Sequence, residues 1–106
     1  MDAKTFRLDF NGGRSDPYNI KESHGSFQGS VWMGFSGLKW LLDELSSIRN
    51  SHQTPQGLFY FFLDGYHALE RSGMKNNRGC FLEILEFHSG CQKGSIQVLE
   101  GRDGAD

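Results

Sequence analysis

Two pairs of residues repeat a pattern that could do chemistry. Glu22 and His24 stand two apart, and so do Glu86 and His88. On a strand that spacing puts carboxylate and imidazole on the same face. If the two copies converged, two Glu and two His could hold a metal ion or act as an acid–base pair. Glu and His at strand ends are ordinarily solvated, so neither a metal site nor catalysis is expected. Cys80, His88 and Cys91 lack finger-like spacing. No third group is evident to orient a Cys–His nucleophile. A Cys80–Cys91 bridge across a hairpin is open but disfavoured in a reducing compartment. No glycine-rich loop follows a strand and opens a helix; the glycines read as hairpin turns. The expectation is a protein with no catalytic residues, metal, cofactor or small-molecule substrate.

A second constellation is basic and aromatic. Cys80 to Phe87 reads as a strand with Leu82 and Ile84 on one face and Phe81, Glu83, Leu85 and Phe87 on the other. If a helix covers Leu82 and Ile84, Phe81 and Phe87 lie open. Exposed aromatics beside basic residues suit stacking on unpaired bases, each stack worth about 1–3 kcal/mol. Arg71, Lys75, Asn77 and Arg78 frame the adjoining turn, and Arg7 and Arg14 add charge from the first half. These are the candidate phosphate contacts. In the competing reading, Phe81 and Phe87 pack against a partner's sheet or a further helix. The apolar run Phe59-Tyr60-Phe61-Phe62 reads as a central strand buried on both faces.

The elements that would position these residues follow from periodicity. Lys4 to Phe10 alternates, with Phe6, Leu8 and Phe10 on the face expected to be half-buried and Thr5, Arg7 and Asp9 on the other. Asn11-Gly12-Gly13 opens a loop that reaches Pro17. Tyr18 to His24 is a second strand with Tyr18 and Ile20 inward. Gly25 and Gly29 bracket a loop. Ser30 to Met33 is a short third strand, Val31 and Met33 on one side and Trp32 on the other. Ser36 is placed to cap a helix whose stripe is Leu38, Leu41, Leu42, Leu45 and Ile48. A polar linker follows. Leu58 to Leu63, Tyr66 to Ser72, Cys80 to Phe87 and Ser95 to Leu99 read as four meandering strands, the first two joined by an Asp64-Gly65 hairpin turn and the next two by the connection Gly73 to Gly79.

The composition narrows the class. With 106 residues, the chain suffices for one domain with a real core. A net charge of −2 argues against gripping nucleic acid by bulk charge. It does not exclude a local basic patch. No apolar h-region follows the N-terminal residues, and the longest apolar run is too short to span a bilayer, so no membrane partner is expected. Two cysteines in the chain point to a reduced intracellular setting, nuclear or cytoplasmic.

The two halves also echo each other. At one offset Arg14 matches Arg78, Ile20 matches Ile84, Glu22 matches Glu86, His24 matches His88 and Gln28 matches Gln92. One inserted residue, Lys93, then shifts the register, after which Gly29-Ser30-Val31 matches Gly94-Ser95-Ile96. Chance would give about one such identity in a window of this length, so an internal repeat is expected. Its first copy covers about 4–50, a linker about 51–57, and its second copy about 58–106. The repeat calls for a helix after Leu99, about where the sequence stops. Either the chain continues or a partner covers the open face, a homodimer being the expected assembly.

Asn76-Asn77-Arg78-Gly79-Cys80-Phe81-Leu82-Glu83-Ile84 resembles the characteristic strand of the PUR repeat family, approximately Asn-x-Arg-Gly-Arg-Phe-Leu-Lys-Ile, and Gly37 to Leu45 is similar to that family's helix opening. The resemblance implies an α+β, antiparallel-sheet-rich fold of the PUR or Whirly-like kind, with a helix packed on one sheet face. It also implies binding of single-stranded DNA or RNA. Cys80 and Glu83 stand where the family pattern has basic residues, and the first copy keeps only Arg14 of the Arg-Gly-Arg feature. The alternative is therefore a protein-interaction or homodimerisation module on the same fold that has lost nucleic-acid binding.

Overall fold

A computed structural model describes residues 4–51, 59–76 and 79–99. The described residues form an α+β fold of two antiparallel sheets and one helix. Strands β1 (Thr5–Phe10), β2 (Tyr18–His24) and β3 (Phe27–Met33) make the first sheet in the order β1-β2-β3. Helix α1 (Phe35–Ser51) follows. Strands β4 (Phe59–Asp64), β5 (His67–Asn76), β6 (Gly79–His88) and β7 (Cys91–Leu99) make the second sheet as a meander.

Tight turns set the registers. His24 pairs with Phe27 across Gly25-Ser26, with Gly25 at φ 60°. Asp64 pairs with His67 across Gly65-Tyr66, with Gly65 at φ 65°. The first turn residue has positive φ in both, which glycine adopts without a Cβ penalty. The hairpin turn is thus Gly65-Tyr66 rather than Asp64-Gly65. Several strands run further than periodicity suggested: β3 starts at Phe27, β7 at Cys91, and β5 continues through Gly73 to Asn76. Gly29, Gly73 and Gly94 are strand residues, not turn residues.

The halves share one pairing scheme. Phe6, Leu8 and Phe10 of β1 face Glu22, Ile20 and Tyr18; Leu69, Arg71 and Gly73 of β5 face Glu86, Ile84 and Leu82. Glu22 faces Gly29 and Glu86 faces Gly94. The inserted Lys93 falls at a β-bulge, because Glu86 pairs with Gly94 while Phe87 pairs with Gln92.

The core holds Val31, Met33, Leu38, Leu41, Leu69, Ile84 and Ile96. It lies where β3 and β7 meet and where α1 crosses onto the second sheet. Trp40 stacks on Phe62 with ring centroids 5.7 Å apart. Gly37 lets the helix approach: a Cβ there would lie 3.1 Å from Leu69 Cδ1 and 3.2 Å from Met33 Cβ. The helix starts one residue before Ser36, with Leu38 N–H donating to Gly34 O at 3.0 Å. Ser36 is exposed and does not cap it. Carboxylates of Asp16 and Asp64 stand beside Gly34 and suit the positive end of the helix dipole. Leu38 and Leu41 are buried as expected, but Leu42 is exposed. The contact line runs through Gly37, Leu41 and Glu44, and Leu42 lies about 100° round the axis from Leu41.

Two apolar rows are more open than their alternation implied. Phe6, Leu8 and Phe10 do share a face with the core, yet they are 44, 56 and 64 % exposed. Strand β4 is an edge strand, and Tyr60, Phe61 and Leu63 are exposed. It is not a buried central strand.

Candidate functional site

Glu22 and Glu86 are both buried, and neither is bonded to its neighbouring His. Glu22 Oε1 accepts from the Gln97 backbone N–H at 2.7 Å, and its Oε2 pairs with Lys4 Nζ at 2.6 Å. Lys4 Nζ also donates to Gln97 O at 2.9 Å. Glu86 mirrors this: Oε1 accepts from the Trp32 backbone N–H at 2.9 Å, and Oε2 meets His67 Nε2 at 3.2 Å. Each sheet thus sends one carboxylate to the bordering strand of the other. The bonds serve backbone groups on β3 and β7 that face away from their own sheets. His88 is exposed. Among the described residues no three His, Cys, Asp or Glu side chains are placed to hold a metal ion. The repeated Glu-x-His signal therefore marks a structural joint. The side-chain partners of the two glutamates, Lys4 and His67, occupy matched positions, each one residue before Thr5 or Ala68, which face Ser23 and Phe87. Sequence reading did not find these partners, because their spacing from the glutamates is set by strand pairing.

The cysteines do not bridge across a hairpin. Cys91 is free and pairs with His88, while Cys80 pairs with Lys75 at the far end of β6, about 27 Å away at roughly 3.4 Å per residue.

Among the described residues, the expected nucleic-acid contacts are not gathered together. Arg71 is buried, 6 % exposed. Its Nη2 and Nε lie 2.8 and 2.9 Å from Glu44 Oε1, and its guanidinium sits 4.1 Å from the centroid of the Tyr60 ring. It ties α1 to the second sheet and is not available to a phosphate. Phe81 is 9 % exposed, so it offers no stacking surface; Phe87 is half-buried. Lys75 lies in β5 opposite Cys80, and its side chain is outside the described residues, as are Asn77 and Arg78.

The face bearing Phe81 and Phe87 is also acidic. Glu70 and Glu83 are diagonal neighbours there, since Glu70 faces Leu85 and Ser72 faces Glu83. Burial, and then the Glu83 charge, pushes the Glu70 carboxyl above its ordinary 4.5. Two carboxylates among Leu85 and Phe87 repel a phosphate chain. The raised value also means that ionised Glu70 opposes folding. Its penalty is present at neutral pH, eases as pH falls through the folded-state value, and is gone below the unfolded one. Glu70→Gln should therefore raise the melting temperature at pH 7, with the gain vanishing well below pH 4.5; thermal melts across pH check this.

A better cationic surface lies on the first sheet, on the face away from the core. Arg7 faces Lys21, Lys21 faces Ser30, and in the next row Asp9 faces Asn19 and Asn19 faces Trp32. Arg14 comes from the β1–β2 loop. Asn11 shapes that loop, its Oδ1 accepting from Gly13 N–H at 3.0 Å and its backbone oxygen from Arg14 N–H at 3.2 Å. The Arg14 guanidinium then lies over Trp32, 3.7 Å from the ring centroid. Arg7, Arg14 and Lys21 are exposed, and Arg7 shares Asp9 at 3.0 Å in an open ion pair that solvent weakens. Trp32 and Lys21 were not among the expected contacts. The clue to Trp32 was its place opposite Val31 and Met33.

No family model matches the chain, and no curated protein matches it.

Proposed function

We propose that this is a PUR-like or Whirly-like domain that binds single-stranded DNA or RNA on the outward face of its first sheet. The observation that supports it best is the Arg14 guanidinium stacked on Trp32 beside Lys21 and Arg7. This provides an aromatic plane, a guanidinium plane and positive charge at one place. Unpaired bases stack on both kinds of plane, and the cations meet the phosphates. The matched pairing schemes of the two halves and the reciprocal glutamates support the two-copy fold that the strand after Asn77 implies. The Phe81 face is not part of the proposed surface.

The test is fluorescence anisotropy with labelled purine-rich single strands at low salt. Trp32→Ala should weaken binding by roughly tenfold or more, as loss of a stack worth about 1–3 kcal/mol requires. Arg14→Gln should lower the salt slope by about one. Phe87→Ala should change nothing. A flat titration to high micromolar protein would sink the reading.

A second reading is a protein-docking module. What favours it is the exposed apolar row Phe6, Leu8 and Phe10, continuous with the core, together with the acidic pair on the second sheet.

A further inference from the structure

The two glutamate joints match in geometry and differ in one partner. Glu22 meets a lysine, Lys4, at 2.6 Å. Glu86 meets a histidine, His67, at 3.2 Å. A lysine ammonium ordinarily stays charged across the physiological range, whereas imidazole gains and loses its charge between pH 5 and 8. One joint therefore has a fixed cation and the other a titrating one. The titrating joint is the one attached to the proposed nucleic-acid surface. Glu86 Oε1 accepts from the Trp32 backbone N–H at 2.9 Å, and the Trp32 ring carries the Arg14 guanidinium. His67 and Glu86 are each 5 % exposed, so water does little for either. The carboxylate is also confined. A Cβ on Gly94 would lie 3.5 Å from Glu86 Oε1 and overlap Ser30 O, so Glu86 stands where β3 and β7 cross.

We propose that the His67–Glu86 contact is a pH-sensitive latch on Trp32, so that acidification tightens single-strand binding on the first sheet. This rests on the nucleic-acid reading. Protonated, His67 gives Glu86 a counter-ion while the carboxylate keeps its bond to Trp32 N–H. Neutral, His67 can still donate one N–H, but Glu86 becomes a buried anion without a cation. The carboxylate then regains solvation only by turning out of the crossing. That releases the Trp32 N–H and loosens the backbone beneath the Arg14–Trp32 stack. The other charged groups near His67 act more weakly. Asp64 on β4 and His88 on β6 are its register partners, and both are exposed. Asp64 favours the imidazolium and a protonated His88 opposes it, each screened by solvent. Asp16 of the β1–β2 loop stands with Asp64 beside Gly34. On β7, Cys91 lies one strand beyond His88, and Lys93 is exposed at the bulge. Strand β3 carries no charged side chain.

The latch is tested by anisotropy with a labelled purine-rich single strand at fixed ionic strength, from about pH 5.5 to about pH 8. The native chain is compared with His67→Lys and His67→Gln. Lysine copies the fixed cation of the other joint, and glutamine copies the neutral donor. The lysine variant also measures the background from His24, His52 and His88, which draw a phosphate chain at low pH without Glu86. Above that background, the native chain should bind about fivefold or more tighter at the acid end, the low end of coupling between sites. His67→Lys should stay at the tight level and His67→Gln at the weak one. Parallel profiles for the native chain and His67→Lys overturn the latch. NMR of the native chain separates the two levels. The Trp32 backbone amide should shift with the same midpoint as the His67 ring protons. An amide that does not follow His67 overturns the latch, whatever binds. An amide that follows it, in a chain that binds no single strand at either pH, keeps the latch on Trp32 and removes the nucleic-acid reading.

Discussion

Gly94→Ala should cost about 3 kcal/mol or more, at the severe end for overpacking. A Cβ on Gly94 would overlap the carbonyl oxygen of Ser30. The obstacle is backbone from the other sheet, so no rotamer can move it aside. Relief requires β3 and β7 to separate, which would pull on the bonds from Glu22 and Glu86 to those same strands. Gly29→Ala should behave alike, because its Cβ would lie 2.5 Å from Ser95 O. Gly13→Ala is the control: it is exposed, and its Cβ would lie 3.4 Å from Asn11 Oδ1, with no helix or strand to displace. Thermal melts should place Gly94→Ala about 12 °C or more below the native chain, at roughly 4 °C or more per kcal/mol in a domain of this size. A melt within about 2 °C of native would mean that the sheets do not cross this closely.

Glu22→Ala should rank with it, losing about 3–5 kcal/mol, the usual cost of removing one member of a buried ion pair. It strands Lys4 and leaves the Gln97 N–H without its acceptor. Glu22→Gln keeps an acceptor for that N–H but not the charge facing Lys4, so its loss should be smaller. Lys4→Met combined with Glu22→Gln should cost less than the sum of the two changes, since no unpaired charge remains. Glu86→Ala should repeat the pattern through Trp32 N–H and His67. Urea unfolding of the single and double variants gives the coupling directly. Additive losses would show that Glu22 does not act through Lys4.

Much of the fold was legible because short-range rules decide it. Strict alternation located β1 and β2, and the leucine spacing located α1. The single mismatch at Lys93 between the echoing halves turned out to be a bulge, a local event that leaves its mark in sequence. Burial was less legible. Phe6, Leu8 and Phe10 alternate like a buried row, and Leu58 to Leu63 reads as a covered strand. Whether either is covered depends on where α1 lands, which periodicity does not specify. The same holds for charge. Arg71 and Arg14 look alike in sequence, but one lies beside Glu44 and the other on Trp32. Glu22 and Glu86 stood out as a repeated pair, yet their partners come from strands far away in sequence. The alternation from Cys80 to Phe87 located a strand but not the surroundings of its faces: Phe81 is buried, and Glu70 stands diagonal to Glu83 on the same face.

The reciprocal glutamates also bear on how the chain comes together. Lys4 and Gln97, 93 positions apart, are joined, and Glu22 reaches the same strand across 75. Neither sheet can complete its inner border until the chain as far as Gln97 has left the ribosome. The first half, made early, must wait with a buried-type carboxylate and an apolar strand still in water. Closing so long a loop adds little to the equilibrium cost but delays the contacts that reward it. The joint that ties the halves together therefore cannot form until both of them have been made.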